Sequence, residues 1–306
     1  MPDFASHDYW DTRFTKDRTP FDWLIPATAL RDVATDVVDD ADALHNAQVL
    51  HIGCGTSDAS ILRDMVENPA QVHNIDFSSA AIEAASERET NILSKSKAPD
   101  VTNVSQDQEQ WVQSKLTNMR WSCMDLLSLD STLDLLQRQE EEAGRLFDLV
   151  LDKSTSDSIS CGANRLIYLP YPLSPNGWTR RILQGGAHHS AEVHPLHVLA
   201  VHLAALTTPK SGRWVVISYS EDRFPFLPPL PHSASTGLLD DSTIQAGFTH
   251  PNQLWTLETK EKIDLDANRD ETLAQRRKRL SAGVVHRPKI THWLYVLRRT
   301  AALVTD

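Results

Sequence analysis

The chain has 306 residues, 41% of them hydrophobic and 23% charged, with a formal net charge of −11. That length suits one large α/β domain or two small ones, and so acidic a chain is repelled by phosphate backbones, which argues against a nucleic-acid partner. Its three cysteines, Cys54, Cys123 and Cys161, have no metal-type spacing and fit a reducing compartment. The polar start MPDFASHDYW has no apolar leader segment, and no run reaches the ~18 apolar residues of a membrane span. The expected location is the cytoplasm, with the nucleus also open, and no membrane partner is expected.

In chain order, AQVLHIG (47–53) reads as a buried strand. Ala59, Ile61, Leu62 and Met65 then recur at helical spacing behind Ser57 as N-cap. QVHNIDFSS (71–79) is a second strand ending in an acid and two candidate caps, and Ile82 with the alanines after it opens another helix. Residues 93–118 are polar and irregular. MRWSCMDLL (119–127) is a third strand, followed by the helix DSTLDLLQRQEEEAGR (130–145). FDLVLDK (147–153) is continuously apolar, as expected of a strand buried on both faces. A helix over 192–206, a strand in GRWVVISYS (212–220), a Pro-rich loop over 222–235, and late strands in LWTLETKEKI (254–263) and KITHWLYVLRR (289–299) complete the pattern. This alternation predicts a doubly wound, mostly parallel sheet of seven strands. The expected organisation is a single domain over 1–306, with an N-terminal segment at 1–30 and insertions at 93–118 and 162–191.

In such a fold the ligand lies beyond the carboxyl ends of the strands. Gly53 and Gly55 follow the first strand, where a missing Cβ lets backbone approach a ligand. The third glycine of a dinucleotide fingerprint is replaced by Asp58. Asp76, ending the second strand, can accept both ribose hydroxyls of NAD or S-adenosylmethionine. A carboxylate in place of the third glycine disfavours a pyrophosphate and favours S-adenosylmethionine, which has none. Met124 and Asp125 end the third strand, where an adenine would be framed. Asp152 and Lys153 end the fourth, at the edge where a methyl acceptor would meet the sulfonium.

HDYWDTRF (7–14), FDWL (21–24), VLHIGCGTS, NIDFSS, MDLL and FDLVLDKSTSDSI (147–159) together resemble the class I methyltransferases of the eukaryotic elongation-factor-1A lysine methyltransferase group, as do GRWVVISYS and HRPKITHWLYVLRR. The resemblance covers most of the core but not 93–118 or 162–191. It implies a Rossmann-like methyltransferase domain using S-adenosyl-L-methionine. Tyr9, Arg13 and Trp23 would close over the cofactor, with Arg13 facing its methionine carboxylate. Gly53 and Gly55 would pass beneath the methionine and ribose, and Asp76 and Phe77 would hold the ribose and flank the adenine. Met124 and Asp125 would frame the adenine, and Lys153 would occupy a cofactor-side position. Asp152 is the candidate catalytic residue, positioning the acceptor. DKSTSDSI departs from the group's D-K-G-T-L-D-A pattern just beyond the active-site edge, so the acceptor, a protein lysine or a small molecule, stays open. A non-catalytic methyltransferase-like partner subunit is the alternative. Among His188, His189, His194, His197 and His202, one is expected to line the acceptor pocket. No metal site is expected, because no cysteine or acid completes a ligand set. RRKR (276–279), among acidic neighbours, reads as a solvated helix face.

Overall fold

The computed structural model describes residues 2–23, 25–38, 40–95, 117–171, 189–227, 239–263, 291–302 and 304. Strands β1 (Val49–Ile52), β2 (Val72–Asp76), β3 (Arg120–Cys123), β4 (Leu149–Lys153), β7 (Arg213–Ser218), β8 (Trp255–Ile263) and β9 (His292–Arg299) form one sheet in the order β3-β2-β1-β4-β7-β9-β8. The β1–β2, β1–β4, β2–β3 and β4–β7 pairs are parallel, whereas β9 runs antiparallel to both β7 and β8. The chain winds outward from β1 to β3 and then returns to β4 on β1's other side. That reversal creates the crevice in which doubly wound sheets bind ligands.

Every residue of β1, β2 and β4 is buried, including the polar His51, His73, Asn74, Asp76, Asp152 and Lys153, as expected of strands that helices cover on both faces. One face packs against α6 (Leu129–Ala143) and α8 (Pro195–Leu206), through Leu135, Leu199 and Leu203 with Trp214 and Trp255. The other packs against α2 (Thr28–Val37) and α4 (Ser60–Arg63), through Leu30, Val33 and Leu62. A third, smaller cluster gathers Trp10 and Phe14 of α1 (His7–Lys16) with Ala81 of α5 (Ser79–Lys95), and Phe4, Tyr9, Phe21, Trp23 and Phe77 pack against it. Helix α3 (Ala41–His45) leads into β1, the short α9 (Asp241–Gln245) and α10 (Pro251–Leu254) lead into β8, and the single turn α7 (Thr155–Ile159) follows β4.

Local chemistry sets several boundaries. Ser78 caps α5 by accepting the Ala81 N–H at 3.2 Å. Helix α6 starts at Ser128, whose hydroxyl accepts from the Ser131 N–H, and ends on Gly144 at φ 66°, the left-handed conformation that glycine adopts without a Cβ clash. The helix expected behind Ser57 is only the four residues of α4. Asp58 Oδ1 accepts both the N–H and the hydroxyl of Ser60 (3.1 and 2.5 Å), while the Ser57 hydroxyl donates to Phe21 O at 3.1 Å and caps nothing.

Segment 162–191, expected as a loop-like insertion, contains an antiparallel hairpin of β5 (Arg165–Leu169) and β6 (His189–Val193). The Pro-rich run beside it hid the alternation in which Ile167 and Leu169 turn inward while Leu166 and Tyr168 stay exposed. Residues 96–116 of the expected first insertion, His188 and the RRKR run lie outside the described residues. Among the described residues no helix is long and apolar enough to cross a membrane.

Candidate active site

Beyond the ends of β1, β2, β3 and β4 lies a cavity of about 510 Å³. Its floor is the turn after β1. Gly53 and Gly55 have φ of 56° and 52°, and a side chain would be crowded at both, severely at Gly53. A Cβ on Gly53 would lie 2.1 Å from Thr155 Oγ1, and one on Gly55 would lie 3.2 Å from the Phe14 ring. The Gly55 N–H donates to Asp76 Oδ2 and the Ser78 N–H to Asp76 Oδ1, both at 2.9 Å. Asp76 is buried, and burial pushes its carboxyl up to about 6 even though these hydrogen bonds pull it down. Each carboxylate oxygen keeps a lone pair for a further donor.

The roof is the N-terminal segment, which is tied to the cavity from several sides. Thr56 Oγ1 donates to Thr19 O at 2.9 Å, and Ser78 Oγ donates to Asp11 Oδ1 at 2.6 Å. His7 Nε2 lies 3.1 Å from Phe77 O, and the Ser158 hydroxyl donates to Phe4 O. Lys153, buried at the end of β4, pairs with Asp22 Oδ1 at 3.2 Å and donates to Ile25 O at 3.3 Å. Burial lowers its pKa, and the neighbouring Asp22 carboxylate works in the opposite direction.

Of the residues expected from the sequence, Trp23, Gly53, Gly55, Asp76, Phe77, Met124, Asp125 and Lys153 line the cavity. Three do not. Tyr9 packs edge-on to Phe4 and Trp10, with ring centroids 5.5 and 5.1 Å apart. Arg13 lays its guanidinium over the Phe21 ring at 3.7 Å, and its buried Nε has no hydrogen-bond partner among the described residues. The cavity meets Trp10 and Phe14 instead, which lie one helical turn apart on the inward face of α1. The signal that could have found them is that both members of this i,i+4 pair are large and apolar, whereas the Tyr9–Arg13 row is polar.

Asp152, expected to position the acceptor, is not among the residues that line the cavity. It is fully buried, accepting the N–H groups of Thr155 and Ser156 at 2.9 and 3.2 Å and the Ser156 hydroxyl. Burial raises its carboxyl to about 6. Its work is to hold α7, which supplies Ser158 and Ile159 to the cavity wall.

A second buried acid on α7 had no legible sequence signal. Asp157 pairs with Arg223 at 2.7 Å and accepts the Tyr219 N–H at 3.2 Å and the Ser218 hydroxyl. This ties α7 to the chain leaving β7. Cys161–Arg165 continue the wall, with Arg165 3.7 Å from Asp125.

None of the described histidines among those expected near the acceptor lines the cavity. His202 is a core group. Its Nδ1 lies 2.7 Å from Leu126 O and its Nε2 2.8 Å from the Tyr171 hydroxyl, and burial pulls its pKa down to about 4. Among the described residues, no group of three or more His, Cys, Asp or Glu could hold a metal ion.

The chain matches no protein-family profile. It is similar to a Neurospora crassa protein named Methyltransferase srdJ, with 29% identity over 165 residues, covering 54% of this chain and 57% of that protein. The matched region thus spans little more than half of the relative. Similar solved structures include an S-adenosylmethionine-dependent methyltransferase from Anabaena variabilis (TM-score 0.45, 11% identity, 96% of this chain and 93% of that one). Another is magnesium protoporphyrin IX methyltransferase from Synechocystis with bound S-adenosylmethionine (TM-score 0.41, 12% identity, 96% and 94%). A third comes from work on converting a disulfide bond into a thioacetal group in echinomycin biosynthesis (TM-score 0.47, 16% identity, 97% and 94%).

Proposed function

We propose that this chain transfers the methyl group of S-adenosylmethionine to an acceptor. The observation that carries the reading is the juxtaposition, in one cavity, of the Gly53–Gly55 turn, the buried Asp76 carboxylate and the Met124–Asp125 strand end beneath an aromatic roof. The residues fit that cofactor. Glycine turn and carboxylate suit a ribose, Met124 and Phe77 offer apolar contact to an adenine, and Asp58 stands where a dinucleotide fingerprint has its third glycine. The buried Arg13 Nε, unpartnered among the described residues, suits a carboxylate once the guanidinium leaves Phe21. The volume falls within the usual range of about 300–1,000 Å³ for small-molecule sites. The name of the Neurospora relative supports the same reading.

When bound, S-adenosylmethionine supplies an electrophilic methyl group on a sulfonium. The protein's own contribution is alignment and the exclusion of water. Trp10, Phe14, Phe21 and Trp23 present apolar surface under the roof. Asp76 fixes the ribose, and Asp152 acts at one remove by fixing α7. The acceptor would enter along Ser158–Arg165, so the segment beginning at Gly162 would set acceptor choice. The HDYWDTRF and FDLVLDKSTSDSI motifs favour a protein lysine, which must arrive neutral although a free lysine has a pKa of about 10.4. The covered cavity favours a small molecule.

Calorimetry with S-adenosylmethionine tests cofactor binding, and methyl-labelled cofactor incubated with a cell extract, then split into protein and small-molecule fractions, tests the acceptor. Saturable binding and label in one fraction are the expected results; absence of binding would overturn the reading.

A further inference from the structure

Ser154, between β4 and α7, carries two features that cost stability. It has φ of 64°, a conformation in which a Cβ is strained. It is also buried to 1% exposure, and its hydroxyl finds no hydrogen-bond partner among the described residues. Glycine would relieve both. Helix capping does not account for a serine here. Ser154 stands at the N-cap of α7 yet makes no side-chain capping bond, because Asp152 already takes the Thr155 and Ser156 N–H groups. Its own N–H is committed to Ile217 O at 3.0 Å. The residue nevertheless lines the cavity. Local outliers of this kind concentrate where a ligand is held.

We propose that the Ser154 hydroxyl donates a hydrogen bond to the methionine carboxylate of S-adenosylmethionine, a contact that rests on the functional reading above. Position selects that end of the cofactor. Asp76 ends β2 and Met124–Asp125 follow β3, which assigns the ribose and adenine to that side. Ser154 lies at the β4 end, across the Gly53 turn, where Thr155 packs under Gly53. Asp22 already balances the Lys153 ammonium, so the choice of the carboxylate rests on the free hydroxyl proton of Ser154, which a carboxylate accepts and an ammonium cannot. A serine hydroxyl turns about one bond to meet its acceptor.

The test uses Ser154→Ala and Ser154→Gly in the full chain, with S-adenosylmethionine and decarboxylated S-adenosylmethionine as calorimetric probes. Both variants should bind S-adenosylmethionine about tenfold more weakly, as expected for a lost hydrogen bond to a charged group. Affinity for the decarboxylated probe should not change, and the free variants should melt at or above the wild-type Tm. Unchanged S-adenosylmethionine affinity overturns the contact, and so does an equal loss with both probes. A lowered Tm also overturns it, since the hydroxyl would then already be satisfied in the free protein. Wild-type protein that binds neither probe overturns the functional reading itself.

Discussion

Asp76 is caught between burial and ionisation. Burial raises its carboxyl to about 6, so between the unfolded value of about 3.9 and that figure the folded protein holds a proton the unfolded chain releases. The stability linked to this group is fully present below about 4 and is lost as pH rises through about 6. Cofactor affinity should run the other way, because only the ionised carboxylate accepts from both ribose hydroxyls. Calorimetry from pH 5 to 8 is therefore expected to show S-adenosylmethionine binding weakening below about 6, by at most about tenfold per unit. Asp76→Asn should flatten the profile and bind about ten- to a hundredfold more weakly at pH 8. A flat wild-type profile would remove Asp76 from the ribose. This residue was legible because a strand end and a Gly-x-Gly turn fix its place in the fold. Tyr9 and Arg13 share the four-residue spacing of Trp10 and Phe14, so spacing alone does not tell which of the two rows of α1 meets the cavity; the buried row is Trp10 and Phe14.

At the scale of elements, α7 is too short to persist through its own hydrogen bonds and is held by its two acids. Asp152→Ala strands two backbone N–H groups and the Ser156 hydroxyl. It should cost about 1–3 kcal/mol, read as a lower urea midpoint at unchanged m. Arg223→Ala leaves the fully buried Asp157 without its counter-ion and should cost about 3–5 kcal/mol. The pair Asp157→Asn with Arg223→Met should cost less than Arg223→Ala alone. A double variant weaker than that single one would mean the charges themselves stabilise the fold. The largely apolar strands β1 and β4 could be read directly from composition, and β2, with His73, Asn74 and Asp76, from its place between turn signals. The hairpin β5–β6 could not, because its alternation is brief and adjoins prolines, and the Asp157–Arg223 pair joins residues far apart in the chain.

For the molecule as a whole, the doubly wound sheet followed from the alternation of strands and helices, whereas the antiparallel entry of β9 had no pattern of its own in the sequence. The two cores that flank the sheet begin at Ile25, and the earlier aromatics form a separate cluster over the cavity. Deleting residues 1–24 should therefore leave a cooperative melt by circular dichroism while abolishing S-adenosylmethionine binding by calorimetry. Normal binding by the truncated chain would reduce the N-terminal segment to packing.

The roof also has a history within each round of translation. Phe4 leaves the ribosome first, but the Ser158 hydroxyl that holds its carbonyl is made much later, as is the Ser78 hydroxyl that meets Asp11. Trp10 and Phe14 wait for Ala81 of α5, and Phe4 waits longer, until Ser158 has been made. The Phe4 contact thus closes only after β4 and α7 exist, so it belongs to a late step of folding.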